Sequence, residues 1–391
     1  MKPTSSVFTG LPTTIFEVMS RMAAEHQSVN LGQGFPDVDG PEEIRRAAAE
    51  AMIAGPNQYP SMMGIPDLRQ AVAEVNKRFY GLDVDWQREV MVTSGATEAL
   101  GDCILGLIDP GDEVVLIEPL YDCYLPMIRK AGGIPRLVRV TPPNWELDRE
   151  ALAAAFGPKT KAILINNPMN PAAKVFTADE LAFIAGLCVA HDAYAICDEV
   201  YEHLVFDGRK HLPLMTFPGM RDRCARVGSA GKTFSLTGWK IGYITAPPHM
   251  LTPIAKAHQF VTFTTPPALQ VAVAKGLRFG DDYYSGFIAD LEAKRDRLSA
   301  GLRRLGFPVL QSHGSYFVSA DISGMGLGDD DFEVCKRLTV EAGVTAIPIS
   351  AFYEVDPPRN AIRFCFCKRF EVLDEGLARL EKALGGARSA A

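Results

Sequence analysis

No run of apolar residues in the 391-residue sequence is long enough to cross a bilayer. The opening Met1-Lys2-Pro3-Thr4-Ser5-Ser6 lacks the apolar centre of a secretory signal. The eight cysteines, at 103, 123, 188, 197, 224, 335, 365 and 367, include no Cys-x-x-Cys pair. Cys365 and Cys367 fall on one face of an extended run, a poor arrangement for a mutual disulfide, so a reducing compartment, the cytoplasm, is expected. The seven histidines show no ligand spacing, and no metal is assigned. An excess of positive charge is missing as well: 40 Lys and Arg face 47 Asp and Glu, a net charge of -7, which argues against a nucleic-acid or anionic-membrane binder. Repeats and low-complexity linkers are absent, and the closing Gly385-Gly386-Ala387-Arg388-Ser389-Ala390-Ala391 reads as a frayed tail.

What is present is a globular composition, 47% hydrophobic and 22% charged, in a chain long enough for two domains. Short apolar runs, including Glu89–Thr93, Glu113–Ile117, Lys161–Ile165, Tyr194–Asp198, Arg226–Gly228 and Ile241–Ile244, alternate with amphipathic stretches such as Ala178–His191. That alternation predicts an α/β fold with a largely parallel, buried sheet, whose ligands sit beyond the carboxyl ends of the strands. A polar helical pattern from Tyr283 to Leu305 then leads to a C-terminal domain with strands near Ser315–Val318 and Ala361–Phe366.

Lys232 lies in Ser229-Ala230-Gly231-Lys232-Thr233-Phe234-Ser235-Leu236-Thr237-Gly238-Trp239-Lys240. Gly231-Lys232-Thr233 imitates the end of a nucleotide-binding loop, but the glycine that such a loop needs upstream is replaced by Arg226. Taken alone, Lys232 reads as a solvated loop lysine. In a setting of small residues it can instead be desolvated, which lowers its pKa and suits an imine to pyridoxal phosphate. Four further segments follow strands. Ser94-Gly95-Ala96-Thr97-Glu98 opens a helix, either as a plain cap or as a phosphate site. Tyr121 can pack in its loop or lie over a planar cofactor. Asn166-Asn167-Pro168-Met169-Asn170-Pro171 is a turn whose amides can also donate to a phenolate oxygen. Asp198 follows a buried run and needs a cationic partner, which a protonated pyridine nitrogen supplies, and Tyr201 is near enough to reach the same ring. Arg363 interrupts Ile362, Phe364 and Phe366; it can grip a carboxylate with two prongs or face water from an edge strand.

Together these motifs resemble the class I aminotransferases of the aspartate aminotransferase fold, from about Leu11 to the last helix. Within that family the sequence is most similar to bacterial methionine transaminases and to kynurenine/glutamine transaminases. The marks are Asn30-Leu31-Gly32-Gln33-Gly34-Phe35-Pro36-Asp37, Asn57-Gln58-Tyr59, the Lys232 segment and Ile362-Arg363-Phe364-Cys365-Phe366. The resemblance implies a large cofactor domain at 41–290, a C-terminal small domain at 291–391, and an N-terminal arm at 1–40 that joins the small domain. It also implies residue roles. Lys232 would carry pyridoxal 5'-phosphate and shuttle a proton, and Asp198 would pair with the pyridine nitrogen. Tyr201 and Asn170 would bond the ring oxygen while Tyr121 stacks on the ring. Ala96, Thr97, Ser229 and Lys240 would hold the phosphate, and Tyr59 would reach that of the other subunit in a homodimer. Arg363 would clamp the substrate α-carboxylate, helped by Asn170 and the Gly34 backbone.

Three positions depart from the kynurenine-type pattern. Ile15 stands for a tryptophan over the substrate side chain, and Thr97 for a tyrosine; both changes disfavour a strictly aromatic substrate. Ala173 stands for a turn glycine. The expected activity is transfer of the amino group of methionine or another bulky neutral amino acid to a 2-oxo acid. The alternative is a cysteine-conjugate carbon–sulfur β-lyase on the same fold.

Overall fold

The structure is a computed structural model that describes residues 2–388. Among the described residues, twelve strands form three sheets. In chain order they are β1 (Val29–Asn30), β2 (Val90–Ser94), β3 (Glu113–Glu118), β4 (Ile134–Arg139), β5 (Thr160–Asn166) and β6 (Tyr194–Asp198). Then come β7 (Cys224–Ser229), β8 (Ile241–Thr245), β9 (Phe317–Asp321), β10 (Val344–Thr345), β11 (Ile347–Pro348) and β12 (Ala361–Cys365). The large sheet runs β2-β8-β7-β6-β5-β3-β4 and is parallel except for β8, which is antiparallel to both its neighbours. A smaller antiparallel sheet runs β11-β12-β9, and β1 pairs with β10.

The apolar runs become central strands because helices cover both faces of the large sheet. β6 and β7 are buried along nearly their whole length, as a parallel sheet requires. Local signals set the helix starts: Thr177 accepts from Glu180 N–H at 3.2 Å while the Glu180 carboxylate accepts from Thr177 N–H at 2.8 Å, a reciprocal cap. Arg226, the residue that spoils the nucleotide loop, lies inside β7. There it donates to Glu199 at 2.6 Å and Glu202 at 3.0 Å, a buried ion pair under the sheet.

The polar pattern after Tyr283 is a helix, Asp281–Arg304, whose Leu291, Leu298 and Leu302 are buried. They share one apolar core with Leu116 and Ile196 of the large sheet and Phe364 of the small one. The last helix, Phe370–Arg388, takes in Gly385 to Arg388, so the expected tail is helical to that point, and 389–391 lie outside the described residues. No helix of the described residues is long and apolar enough to cross a membrane.

Candidate active site

Parallel strands end on one edge, and here four of them end in polar residues. Asn166 closes β5, Asp198 closes β6, Ser229 closes β7 and Ser94 closes β2. The register sets Asn166 beside Asp198, Ser229 beside Gly242 and Ser94 beside Ile241. Beyond this edge lies a cavity of about 320 Å³. Lys232, Lys240, Asp198 and Arg363 are the charged residues of its lining.

Lys232 sits on the short helix Ala230–Thr233 that follows β7. Its Nζ donates to Tyr316 Oη at 2.8 Å, and Tyr316 Oη donates to the Gly34 carbonyl at 2.7 Å. Burial pulls the Lys232 pKa below the ordinary lysine value. Asp198 is buried, and its carboxylate accepts from Tyr124 Oη at 2.5 Å and Val200 N–H at 3.3 Å. Burial still raises its pKa to about 6. With only neutral donors against it, this carboxylate suits a cation. Tyr121 lines the cavity near Thr97. Tyr201 stands edge-on to Tyr316 with ring centroids 5.1 Å apart.

One end of the cavity is built for an anion. The helix Gly95–Leu107 begins there, and its first N–H groups have no intrahelical acceptor. A side chain on Gly242 would come within 2.6 Å of the Gly95 carbonyl carbon, and one on Gly95 within 3.1 Å of Lys240 Nζ. Glycine at these two positions therefore lets the helix start, β8 and the Lys240 ammonium converge. Gly95, at φ +74°, also needs glycine for its backbone.

At the other end Arg363 is fully buried on β12. Its Nη1 donates to Asn170 Oδ1 at 2.8 Å and its Nη2 to the Gly32 carbonyl at 2.6 Å, while Nε has no partner among the described residues. The guanidinium lies 3.9 Å from the Phe317 ring centre. Burial lowers its pKa to about 10. The edge-strand reading is thereby replaced: β12 is the middle strand of its sheet.

The fold brings Gly34, Ala96, Thr97, Tyr121, Asn170, Asp198, Tyr201, Ser229, Lys232, Lys240 and Arg363 to one cavity. Two predicted residues lie elsewhere in this chain. Tyr59 is 82% exposed, against Phe263. Ile15 faces an adjoining groove that shares Tyr121 with the cavity, while its neighbour Phe16 lines the cavity itself. Sequence reasoning missed Tyr316, Tyr124 and Asn166. Asn166 lay inside a quoted strand-end segment and Tyr124 three residues past Tyr121; Tyr316 carried no signal beyond its apolar run. Also missed was a buried cluster behind the anion end, where His258 Nδ1 lies 2.7 Å from Glu98 and Nε2 lies 3.0 Å from the Met62 carbonyl. Both ring nitrogens face acceptors, so the ring is held as a cation, its pKa raised to about 9 against the cost of burial.

The lining thus offers a desolvated amine, a buried carboxylate lacking a cation, an anion cradle and a buried guanidinium lacking an anion. These donors fit pyridoxal phosphate with an amino acid beside it. Residues 26–380 match the family described as aminotransferase class I and II. The chain is 44% identical over 379 residues to a probable N-succinyldiaminopimelate aminotransferase of Mycobacterium tuberculosis, covering 94% of this chain and 95% of that one. It is 38% identical to a methionine aminotransferase of Escherichia coli, covering 95% and 96%. A solved N-succinyldiaminopimelate aminotransferase from M. tuberculosis superimposes with a TM-score of 0.95, covering 97% of this chain and 100% of that one. A Thermus thermophilus aspartate aminotransferase mutant does so at 0.89 with 30% identity, covering 98% and 100%. The chain belongs to the class I and II aminotransferases, has the aspartate aminotransferase fold, and uses pyridoxal phosphate as its cofactor.

Proposed function

We propose that this aminotransferase takes the amino group of methionine or another bulky neutral amino acid and delivers it to a 2-oxo acid. Pyridoxal phosphate, when bound, supplies an aldehyde that captures amines and a ring that draws electrons from the substrate Cα. Lys232 holds the cofactor and carries the proton at Cα, one amine serving both tasks. Asp198 keeps the ring nitrogen protonated, its own charge balanced by that cation. Tyr201 and Asn170 bond the ring oxygen, and Tyr121 covers the ring. Ala96, Thr97, Ser229 and Lys240 hold the phosphate. Arg363 grips the α-carboxylate, with Asn170 and Gly34 beside it.

The observation that supports the substrate class is that, among the described residues of this chain, Arg363 is the only arginine in the cavity lining. One buried guanidinium answers one carboxylate, and a second carboxylate would enter unpaired. A second reading rests on the adjoining groove of about 580 Å³, which contains Arg129 and Arg359 and meets the cavity at Tyr121. An elongated acidic amino acid such as N-succinyldiaminopimelate, the substrate in the name of a relative, could reach them. Both arginines are already paired, Arg129 with Glu354 at 2.6 Å and Arg359 with Asp330 at 2.7 Å, which favours the neutral class.

We assign the enzyme to the cytoplasm as a homodimer. Met52, Ile53, Tyr59, Phe260 and Val261 are each exposed, and a second copy would cover them and bring Tyr59 to the other subunit's phosphate. Residues 41–290 form the cofactor domain in this reading, and 1–40 with 291–391 the smaller one. The test is kcat/KM for methionine, phenylalanine, kynurenine, aspartate and N-succinyldiaminopimelate with one fixed oxo acid. Methionine is expected first and aspartate last. Aspartate or kynurenine in the lead overturns the substrate class, the succinylated substrate in the lead establishes the second reading, and pyruvate with ammonia from a cysteine conjugate identifies the lyase.

A further inference from the structure

The segment that carries Arg363 also holds the loop opposite it. Arg363 Nη2 donates to the Gly32 carbonyl at 2.6 Å, Cys365 N–H to the Leu31 carbonyl at 2.6 Å and Lys368 Nζ to the Phe35 carbonyl at 2.7 Å. Phe366 N–H binds the Tyr316 carbonyl at 3.0 Å, and Tyr316 in turn holds Gly34. The cavity-lining Gln33, Gly34 and Phe35 therefore hang on residues 363–368. Inside that segment, Cys365 and Cys367 have their sulfurs 3.1 Å apart, both thiols free and buried. The extended spacing expected from the sequence does not apply. β12 ends at Cys365, and the chain turns at once, with Lys368 N–H on the Phe366 carbonyl at 2.7 Å.

We infer that Cys365 and Cys367 are a redox-active dithiol, closed to a disulfide by a hydroperoxide, and that closure loosens the substrate-carboxylate end of the site. The last part rests on Arg363 being the carboxylate grip. The sulfurs need to approach by only about 1 Å to reach bonding distance, roughly 2.05 Å. They are chemically unequal. Burial works against ionising Cys365, yet the Cys367 thiol donates to it and Lys368 and Arg363 lie near, bringing it down to about 7. Burial and the neighbouring Cys365 push the Cys367 thiol up. Cys365 is thus the thiolate and Cys367 the proton-bearing partner.

The chemistry closes without another reagent. The Cys365 thiolate attacks one peroxide oxygen, the O–O bond breaks, and the leaving hydroxide takes a proton to become water. The Cys365 sulfenic acid is then attacked by the Cys367 sulfur, the S–O bond breaks, and the hydroxyl leaves as a second water as the thiol proton is transferred. Two thiols and one hydrogen peroxide give one disulfide and two waters, and a thiol reductant reverses the change. The new bond ties residues two apart directly beneath the contacts to Leu31, Gly32 and Phe35, so the ring it closes competes with the loop's anchors.

The test treats reduced holoenzyme with hydrogen peroxide, alkylates free thiols, and maps the peptide containing residues 365 and 367 by mass. The same samples are assayed for methionine KM and kcat. The expected result is a peptide lighter by two hydrogens with neither cysteine alkylated, and a methionine KM raised about tenfold or more, the loss of one good polar contact. Thiol reductant should restore both. Cys367→Ala, and Cys367→Ser should alanine fold poorly, should keep its KM through the same treatment. Alkylatable Cys365 and Cys367 in inactivated enzyme, or a mapped disulfide with unchanged KM, overturns the inference. A disulfide between Cys197 on β6 and Cys224 on β7, whose side chains hydrogen-bond, would also overturn it if it accounted for the loss. The mass readout does not depend on the role of Arg363, which Arg363→Lys kinetics test separately.

Discussion

Replacing Arg363 with lysine keeps a positive charge at the same depth and removes the fork. The guanidinium has five N–H donors, of which two are taken by Asn170 and Gly32. Nε faces no acceptor among the described residues and, with a neighbouring Nη, can meet a carboxylate side-on. An ammonium can satisfy the carboxylate or the two internal oxygens, but its geometry cannot serve all of them. It loses at least one charge-assisted hydrogen bond, about 1.5–3 kcal/mol, and risks leaving a buried carbonyl without a donor, another ~1–3 kcal/mol. It also loses the guanidinium contact over the Phe317 ring. The sum points to roughly 3 kcal/mol, a fall of about 10²-fold in kcat/KM.

The carboxylate is gripped equally before and during the reaction, so the loss should fall on KM and leave kcat within a few-fold. Single-turnover decay of the cofactor absorbance over a range of methionine concentrations separates the two. A second arm uses 3-methylthiopropylamine, methionine without its carboxylate. Wild type should prefer methionine strongly over this amine, and Arg363→Lys should narrow the gap by the same factor it loses on methionine. A variant within about threefold of wild type in kcat/KM, or one that loses only kcat, refutes the grip.

Lys232→Ala should abolish transamination while the fold and non-covalent cofactor binding survive; borohydride fixing cofactor elsewhere with near-normal turnover would contradict this. Asp198→Asn should slow α-proton removal by roughly 10²–10³-fold in the half-reaction. It should also change stability in the cofactor-free protein. A carboxyl raised from 3.8 to about 6 favours the fold fully only below the unfolded value and loses that advantage as pH rises through 6. Cofactor-free wild type therefore carries about 3 kcal/mol of cost at pH 7.5 that asparagine avoids, so the variant should unfold no earlier there and lose its advantage near pH 4. Equal pH dependence of the two melting curves would rule this out. Tyr316→Phe removes the acceptor of the Lys232 ammonium and should lower its pKa further, moving the onset of cofactor capture to lower pH. An unmoved capture profile would leave Tyr316 a packing residue.

The parts of the site that were legible in the sequence are those fixed by strand ends. Asp198 and Ser229 close apolar runs, and a parallel sheet must deliver such residues to one edge. Ala173, read as an awkward substitute for glycine, does sit at φ +55° in its turn. What stayed hidden depends on long-range packing or on helix phase. Tyr316 meets Lys232 across 84 residues, and nothing local marks its hydroxyl among Tyr316, Phe317 and Val318. Ile15 and Phe16 open the helix Ile15–Glu25, capped by Thr14, and one residue there is a rotation of about 100°. The sequence pointed to that helix start, and the structure puts Phe16 in the cavity lining and Ile15 in the adjoining groove, a choice of side chain that sequence alone could not set. Cys365 and Cys367 escaped for a similar reason: extended geometry was assumed through a turn that begins as the strand ends.

The site is held together by groups that the protein alone does not neutralise. Lys232 is bonded to a phenol, Asp198 to a phenol and an amide, and Arg363 to an amide and a carbonyl. Each charge is buried among dipoles, and opposite charges are not in contact. A sequence selected for stability alone would pair such groups or remove them. In the proposed function each meets a complementary group: an aldehyde for the amine, a ring cation for the carboxylate, and a carboxylate for the guanidinium. On that reading, binding of cofactor and substrate to the folded protein stabilises it by pairing charges that the protein alone sets only against dipoles.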